Sequence, residues 1–407
     1  MEKKHRLTVL ASLALVPLAL SGCSAGGSGG GASSDADTLS VVDYYVNDPD
    51  QGLVVAALDK CAAELKVKLN RTGVPGKDLI QKVLQMSSSK TLPDVLMLDN
   101  PDLQEIASSG GLTPLSQFNV DTSGFAQGIL DAATYKGEVY GLAPTVNTLG
   151  LFVNKAMLDE AGLAIPTTWD ELKTTAQALS SGDRYGLAFS SIATYEGSWQ
   201  FLPFLWTNGG SEDKLDSPEA AEALQLQVDL VNSGAASKSV INWSQADVKD
   251  QFMAGKAAMM INGPWQIPAL NADPSLTWTS VQVPINRAGQ TPTAPLGGEV
   301  WTVPQTGNKE KQAKAAKFVE CITDDDNQLS LAESRFTVPT KTALAAEYVQ
   351  KVPDMAAFTE QVANARSRTG ILGEDWPKAA TVMYTGIQLA LTGKESATDA
   401  FSKAKAG

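Results

Sequence analysis

Carboxylates are the reactive side chains that this sequence carries in number. The chain has 45 Asp and Glu residues, one histidine, His5, and three cysteines. His5 lies within residues 1–22, which are predicted below to be a signal peptide, and only Cys61 and Cys321 would remain as thiols. Ser-His-Asp triads, Cys-His pairs, histidine-ligated zinc and cysteine-rich metal sites are therefore excluded. Carboxylate-only chemistry, as in a glycosidase, remains compatible with the composition, although no pair of acids is marked out. The sequence also lacks a P-loop and a dinucleotide-binding glycine motif. No catalytic residue, metal or cofactor is therefore predicted.

A second group of polar residues stands at predicted strand-to-helix turns. Residues 39–46, 67–69 and 93–98 are predicted as strands that alternate with helices. This alternation predicts an α/β fold with an open, largely parallel sheet. Ligands bind beyond the carboxyl ends of the strands in such a sheet, where this chain carries Tyr45, Asp48, Asp99 and Asn100. Asp48 and Asn100 each precede a proline, so both also fit the alternative role of a helix N-cap.

The length of 407 residues exceeds the size at which single cores usually divide, so two domains are expected. The stretch 136–172 is predicted to be a crossover between them. Two short apolar strands are joined there by a segment that contains Pro144 and Asn147. Thr168 and Glu171 then form a capping box, which predicts the start of a new helix.

The N-terminal residues predict export. A basic start and the apolar run 7–20, which is too short to cross a bilayer, indicate a signal peptide over residues 1–22. The small residues before Cys23 resemble a bacterial lipobox, which implies a lipid on the Cys23 sulfur and attachment to the outer face of the cell membrane. The alternative is an ordinary signal peptide with a chance cysteine. Residues 23–37 are rich in Gly and Ser and are predicted to be a tether.

Charge and cysteines set two further expectations. The net charge of −13 repels nucleic acid, so no nucleic-acid partner is predicted.

Cys61 and Cys321 remain in the exported part of the chain, where disulfides persist. Two cysteines carry little pattern information, and we favour two buried free thiols slightly over a disulfide.

Several motifs occur in order along the chain, each weak on its own. Together they resemble the bacterial extracellular solute-binding proteins of the sugar-binding class, which are the receptors of ABC importers in the maltose-binding-protein group. The residues that carry the resemblance are Tyr-Gly-Leu-Ala-Pro at 140–144, Asn-Thr-Leu-Gly-Leu-Phe-Val-Asn-Lys at 147–155, Pro-Thr-Thr-Trp-Asp-Glu-Leu at 166–172, the segment 252–265 that ends in Asn-Gly-Pro-Trp, Gly297-Gly298 with Trp301, Phe-Thr-Val-Pro-Thr at 336–340 and Leu-Ala-Leu-Thr-Gly at 389–393.

The resemblance implies a two-lobed, periplasmic-binding-protein-like α/β fold with three crossovers and a ligand cleft between the lobes. The crossovers would fall near 142–147, 280–284 and 323–327. It also implies a monomer that delivers its ligand to the permease subunits of an ABC transporter. Carried onto this sequence, lobe one would comprise residues 38–143 and 284–325, and lobe two residues 146–282 and 328–407.

Tryptophans are the leading candidates for ligand contact. Sugars present apolar C–H faces and a rim of hydroxyls, so their sites combine flat aromatic rings with carboxylates, amides and guanidinium groups. The resemblance implies that Trp265 and Trp199 stack on sugar and that Asn147 lies at the cleft floor. Packing in a core is the alternative for each tryptophan, and a solvated surface role for each charge. The remaining candidates near these segments are Trp301, Trp206, Trp376, Glu196, Gly298, Glu299 and Arg335.

The expected function is therefore the capture of a carbohydrate, in particular a short oligosaccharide, by a binding protein that is not an enzyme. The main alternative ligand is a polyol or another small polar solute. An exported glycosidase that uses two carboxylates is a further alternative, against which the family resemblance stands.

Overall fold

A computed structural model describes residues 37–407, apart from the side chain of Lys77. The predicted signal peptide, the Cys23 lipidation site and all but the last residue of the tether lie outside the described residues. In the described part, the strands are β1 Thr38–Asp43, β2 Lys68–Gly73, β3 Val95–Asp99, β4 Thr134–Tyr135, β5 Glu138–Val139, β6 Gly141–Leu142, β7 Thr145–Val146, β8 Gly150–Asn154, β9 Tyr185–Ala188, β10 Ala257–Asn262, β11 Trp278–Val281, β12 Glu299–Thr302 and β13 Val338–Pro339.

Helices cover most of the rest of residues 37–407. They are α1 Asp50–Leu65, α2 Gly76–Ser89, α3 Leu103–Ser108, α4 Gln127–Ala133, α5 Lys155–Ala161, α6 Trp169–Leu179, α7 Tyr195–Thr207, α8 Pro218–Asn232, α9 Gln245–Met253, α10 Ile267–Asn271, α11 Lys309–Ile322, α12 Asp325–Arg335, α13 Ala345–Lys351, α14 Ala356–Ala363, α15 Trp376–Leu391 and α16 Ala400–Ala406. Within this part of the chain, no helix combines the length and the apolar character that a membrane span requires.

Two larger sheets organise these elements. The first has the order β2-β1-β3-β12-β6, with β1 parallel to both β2 and β3 and with β12 antiparallel to β3 and β6. The second has the order β11-β8-β10-β9, in which β10 is parallel to β9 and β8 is antiparallel to β10 and β11. The predicted alternation of strands and helices is present in both. In each sheet one strand, β12 in the first and β8 in the second, runs opposite to the others.

Central strands are apolar because helices cover both faces of each sheet. All six residues of β10 are buried, and so are the first four residues of β3. Strands that are covered on both sides carry continuous apolar runs rather than alternating ones. The same burial fixes where each strand ends, because the first polar residue that follows a buried strand emerges at the edge of the sheet.

The predicted capping box begins α6. The Thr168 side chain accepts a hydrogen bond from the Glu171 backbone N–H, and the Glu171 carboxylate accepts one from the Thr168 N–H. Trp169, the first residue of α6, is buried and its indole donates to the Pro284 carbonyl at 3.0 Å. The helix that follows the first crossover is thus tied to a segment more than a hundred residues away.

The predicted boundaries of the two lobes remain a prediction, and one packing feature departs from them. Residues 328–407 are predicted to form part of lobe two as a block. Helix α12, however, packs on α1 and α11 beside the first sheet, whereas α15 packs on α7 and α8 beside the second. The residues that α12 buries are Asn327, Gln328, Leu331 and Ala332.

Cys61 and Cys321 form a disulfide, which corrects the preference for free thiols. Helices α1 and α11 pack side by side and bring the two Cα atoms to 5.8 Å. That separation is within the range a disulfide needs. The pairing joins residues 260 positions apart in the chain, a distance at which sequence spacing carries no information on contact.

Candidate functional site

A cavity of about 300 Å³ opens between elements of the two sheets. Elements of both sheets line it: β3 and β12 belong to the first sheet, while the turn after β10 and helices α7 and α9 lie beside the second. Its lining combines aromatic rings, three carboxylates, two amides and a guanidinium group, contributed by Tyr44, Asp99, Asn147, Tyr195, Glu196, Trp199, Gln245, Trp265, Gly297, Gly298, Glu299 and Arg368.

Asp99 and Glu299 form the acidic wall. Asp99 is the last residue of β3, Glu299 is the first residue of β12, and the antiparallel register places them opposite each other. Directly opposed side chains in a sheet lie about 5 Å apart at Cβ. Two like charges at this spacing repel each other, so the wall needs partners that donate hydrogen bonds.

Those partners come from the chain around the wall. The Tyr44 hydroxyl donates to Glu299 Oε1, and Arg335 Nη1 lies 3.9 Å from Glu299 Oε2. Arg335 itself is held by Asp50 at 2.9 Å and lies over the Tyr45 ring at 4.7 Å. Burial, followed by the charge of Glu299, raises the pKa of Tyr44 well above its usual value, which keeps that hydroxyl a donor.

Arg368 joins the acidic wall to an aromatic one. Its Nη2 donates to Asp99 Oδ1 at 3.1 Å, and its guanidinium carbon lies 4.6 Å from the centre of the Trp199 ring. Burial raises the pKa of the Asp99 carboxyl and the charge of Arg368 lowers it. The effect of burial is the larger, so the pKa of Asp99 is raised. Arg368 Nε and Trp199 Nε1 are buried and have no hydrogen-bond partner within the described residues. Two donors at one cavity are therefore available to a ligand oxygen.

Trp265 forms the opposite aromatic surface because of the turn that carries it. Strand β10 ends at Asn262, whose side chain accepts from the Gly263 N–H at 3.0 Å and from Gln266 at 3.3 Å. The Trp265 ring folds back over Gly263, where an added Cβ would lie 1.9 Å from the ring. Only glycine leaves room for this ring position.

Asn147 and Gly297 meet at the floor of the cavity. Their backbones exchange two hydrogen bonds, at 3.3 Å from the Asn147 N–H and 2.8 Å from the Gly297 N–H. A Cβ at Gly297 would lie 2.0 Å from Asn147 Oδ1 and 2.8 Å from the Trp199 ring. The glycine therefore lets the amide and the ring reach the same small space.

Glu196 and Trp199 are placed by the first turn of α7. The Thr194 side chain caps this helix by accepting from the Glu196 N–H. Glu196 Oε2 then accepts from the Gln245 N–H at 2.8 Å, at the start of α9. Because residues three apart on a helix share a face, Glu196 and Trp199 both reach the cavity.

Seven of the predicted site residues line this cavity: Asp99, Asn147, Glu196, Trp199, Trp265, Gly298 and Glu299. Their contact with a ligand remains a prediction. Tyr45 and Arg335 lie directly behind the wall and contact Glu299 or its neighbours rather than the cavity.

The structure places the other predicted contacts elsewhere. Trp301 is 2% exposed in the middle of the first sheet, between β3 and β6, and Trp376 is 1% exposed at the start of α15. Trp206 is buried and donates to Glu212 at 2.7 Å. These three tryptophans are packing residues, which is the alternative given for them above, because each lies on an element whose inward face forms a core.

The two proposed capping residues differ from each other. Asp48 is exposed and its Oδ1 accepts from the Gly52 N–H at 3.1 Å, so it serves the start of α1. Asn100 is buried and makes no cap. Its amide donates to the Gly298 carbonyl at 3.0 Å and to the Leu296 carbonyl at 3.3 Å. Asn100 thus supports the glycine pair at the cavity from behind.

Sequence reasoning did not name Tyr44, Tyr195, Gln245, Gly297 and Arg368 as site residues, although Gly297 stands in the Gly297-Gly298 motif. Tyr44 directly follows β1, and Tyr195 stands beside Glu196, so strand and helix ends could have indicated both. Arg368 follows α14 in an irregular segment and is 269 residues from its partner Asp99. No local pattern marks it.

Residues 37–407 contain one cluster of side chains with the types and spacing of metal ligands, and this cluster does not form a metal site. That cluster consists of Glu64, Cys321 and Asp324. Cys321 is bonded to Cys61, so its sulfur is not a thiolate ligand.

Comparison with known proteins agrees with this architecture. The model of the family described as bacterial extracellular solute-binding protein matches residues 56–359. A maltooligosaccharide ABC transporter solute-binding lipoprotein of Streptococcus pneumoniae is 22% identical over 98% of this chain and 96% of its own length.

Two solved structures are similar throughout. The cyclic alpha-maltosyl-1,6-maltose binding protein of Arthrobacter globiformis superposes with a TM-score of 0.80 at 26% identity, covering 91% of this chain and 97% of that one. The GacH receptor of Streptomyces glaucescens, solved unliganded and with acarbose, superposes with a TM-score of 0.78 at 26% identity, covering 91% and 96%. The predicted two-lobed α/β fold is thereby confirmed, and the chain belongs to the family of bacterial extracellular solute-binding proteins.

Proposed function

We propose that this protein is the receptor of an ABC importer and that it captures a short carbohydrate in the cleft between its lobes. One observation carries the proposal: a single cavity combines the rings of Trp199 and Trp265 with the carboxylates of Asp99, Glu196 and Glu299. Aromatic rings cover the apolar faces of a sugar ring, and carboxylates accept hydrogen bonds from its hydroxyls.

The donors of the cavity support the same ligand class. A sugar hydroxyl both donates and accepts, so it suits a site that holds groups of each kind. Here the carboxylates accept, while Trp199 Nε1 and Arg368 Nε are buried donors without a protein partner in the described residues. A buried donor that gains a hydrogen bond on binding contributes about 1 kcal/mol or more. The names of the relatives, which include maltooligosaccharide and maltose binding, point to carbohydrate as well.

Capture proceeds by closure of the cleft. The acidic wall lies on the first sheet, and the tryptophans lie beside the second. A ligand that contacts both walls binds the closed form more tightly, so it shifts the population toward closure by that difference in affinity. The closed form is then the one that the permease subunits recognise.

Delivery requires a position outside the cell membrane. The family is extracellular, and a lipid on Cys23 would hold the protein at the membrane surface while residues 24–37 let it reach the permease. We propose that it acts as a monomer and without catalysis. Mass spectrometry of membrane-extracted protein tests the lipid, which adds mass to the peptide that begins at Cys23.

A thermal-shift screen against mono- and oligosaccharides, polyols and glycerol phosphate tests the ligand class. A ligand that binds only the native state raises the melting temperature, and we expect the rise with a carbohydrate. A rise confined to a polyol or glycerol phosphate would assign the alternative ligand class. Incubation with the hit and an assay for new reducing ends tests the glycosidase alternative; no new ends are expected.

A further inference from the structure

A second and larger cavity lies away from the cleft. Its volume is about 520 Å³, within the range of small-molecule sites. The loop between α7 and α8 forms one side, and α15 with the C-terminal helix α16 forms the other. Apolar side chains, among them Leu215, Val382 and Phe401, make up much of the lining.

One buried acid lies at this cavity. Glu212 is 2% exposed and is among the lining residues. Its Oε2 accepts from the Trp206 indole at 2.7 Å and lies 3.9 Å from Arg366 Nη2. Its Oε1 is buried and has no hydrogen-bond partner in the described part of the chain. A buried oxygen that lacks a hydrogen bond is costly, so a ligand that donates to it would remove that cost.

The surrounding charges favour a cation. Glu212, Asp213, Asp216 and Asp375 line the cavity against two lysines, Lys378 and Lys405, and Arg366 lies beside Glu212, so the acids exceed the bases by one. Lys378 Nζ already pairs with Asp375 at 2.6 Å. The excess of acid raises the local concentration of cations and opposes anions.

We propose that this cavity is a second binding site, which takes a small primary amine with an apolar body. The ammonium donates to Glu212 Oε1, and the apolar body lies against Leu215, Val382 and Phe401. This site goes beyond the proposed function, because the inference does not depend on which solute the cleft binds. It also gives Trp206 a role that the cleft does not: this indole fixes the other oxygen of Glu212.

Ligand-observed NMR titration with three matched probes tests the proposal. Phenethylamine, phenethyl alcohol and hydrocinnamate share an aromatic body and differ in the head group. We expect the amine to bind, the alcohol to bind about tenfold more weakly because its hydrogen bond is not charge-assisted, and the carboxylate not to bind. Absence of amine binding, or equal binding of amine and carboxylate, would overturn the proposal.

Two variants locate the amine. Glu212→Gln removes the charge and keeps an acceptor for Trp206, and we expect about a tenfold loss of amine affinity. Ala379→Phe fills the cavity from α15 and leaves Glu212 intact, which should abolish binding. Circular dichroism melting confirms that each variant folds.

Trp265→Ala is the matched control in the cleft and should leave amine binding unchanged. Amine binding that survives Ala379→Phe, or that is lost in Trp265→Ala, would place the amine elsewhere and contradict the proposal. Failure of every carbohydrate in the thermal-shift screen would leave this result unaffected, so the two proposals fail separately.

Discussion

At the scale of single residues, Trp265 and Gly263 act as one unit. The glycine leaves the space that the ring occupies, and the Asn262 side chain holds the turn in place. The ring is partly exposed at the cavity and packs only at the margin of the second core. Its contribution should therefore appear in ligand affinity rather than in folding.

Trp265→Ala should weaken binding of the carbohydrate found by the screen by about tenfold to a hundredfold, because the ring covers an apolar sugar face. Isothermal titration calorimetry measures the loss. Trp243→Ala is the control, since Trp243 is similarly half-buried but does not line the cavity. Unchanged affinity in Trp265→Ala would make Trp265 a packing residue.

Asp102 is a second single-residue feature, three positions after Asp99. Burial, followed by the negative charge of Asp99, raises the pKa of Asp102 to about 7. The folded state thus holds a proton that the unfolded state, with a pKa of about 3.9 for aspartate, releases at lower pH. The contribution of the Asp102 carboxyl to the free energy of unfolding is fully present below about pH 4 and is lost as the pH rises through about 7.

Asp102→Asn should remove this loss of stability. The free energy of unfolding of the variant should therefore exceed that of the wild type by about 2 kcal/mol near pH 8 and differ little from it near pH 4. Urea unfolding at both pH values measures it. Asp59→Asn, exposed on α1, should keep the wild-type pH dependence. Parallel pH profiles for wild type and Asp102→Asn would contradict the raised pKa.

At the scale of elements, the disulfide ties α1 to α11. Both helices pack beside the first sheet, and Cys61 is fully buried between them. A link between residues 260 apart restricts the unfolded chain strongly. The covalent bond and the apolar contacts of the two helices therefore stabilise the same interface.

The double substitution Cys61→Ala and Cys321→Ala should lower the free energy of unfolding by about 2–5 kcal/mol. Denaturant titration measures the change, and carbohydrate affinity should persist because neither cysteine lines the cleft. Wild-type protein kept reduced should fall to the level of the double variant. An equal stability of oxidised wild type and double variant would show that the bond contributes nothing.

At the scale of the whole molecule, the cleft joins contacts from distant parts of the chain. Asp99 ends a strand of the first sheet, and Arg368 comes from the segment that leads into α15, which packs beside the second. Gln104 of α3 also donates to Thr369 at 3.4 Å. These contacts are the ones that a hinge motion would make and break.

Small-angle scattering should show a smaller radius of gyration when the carbohydrate is bound, because the ligand favours the closed form. The Trp265→Ala variant at the same ligand concentration should stay as extended as the free protein. A radius that does not change with saturating ligand would rule out hinge closure.

The local patterns of the sequence determined the α/β class and the capping box of α6. They also located the strand-end carboxylate Asp99, whereas the Asn-Gly-Pro-Trp turn was indicated by the family resemblance. Each local pattern depends on residues within a few positions of one another, and hydrophobic periodicity or turn chemistry is sufficient to indicate it. Asp99 was foreseen for this reason, Trp199 and Trp265 were foreseen through the family resemblance, and Tyr44 and Tyr195 were missed.

Tertiary structure alone decided the rest. It brings Arg368 onto Asp99 across 269 residues and Cys321 onto Cys61 across 260, and it buries Trp301 and Trp376 in cores. A tryptophan has the same local signature whether it packs or binds, because its ring is large and apolar in both roles. Only the packing of distant elements determines which face of the ring meets another side chain and which meets the cleft.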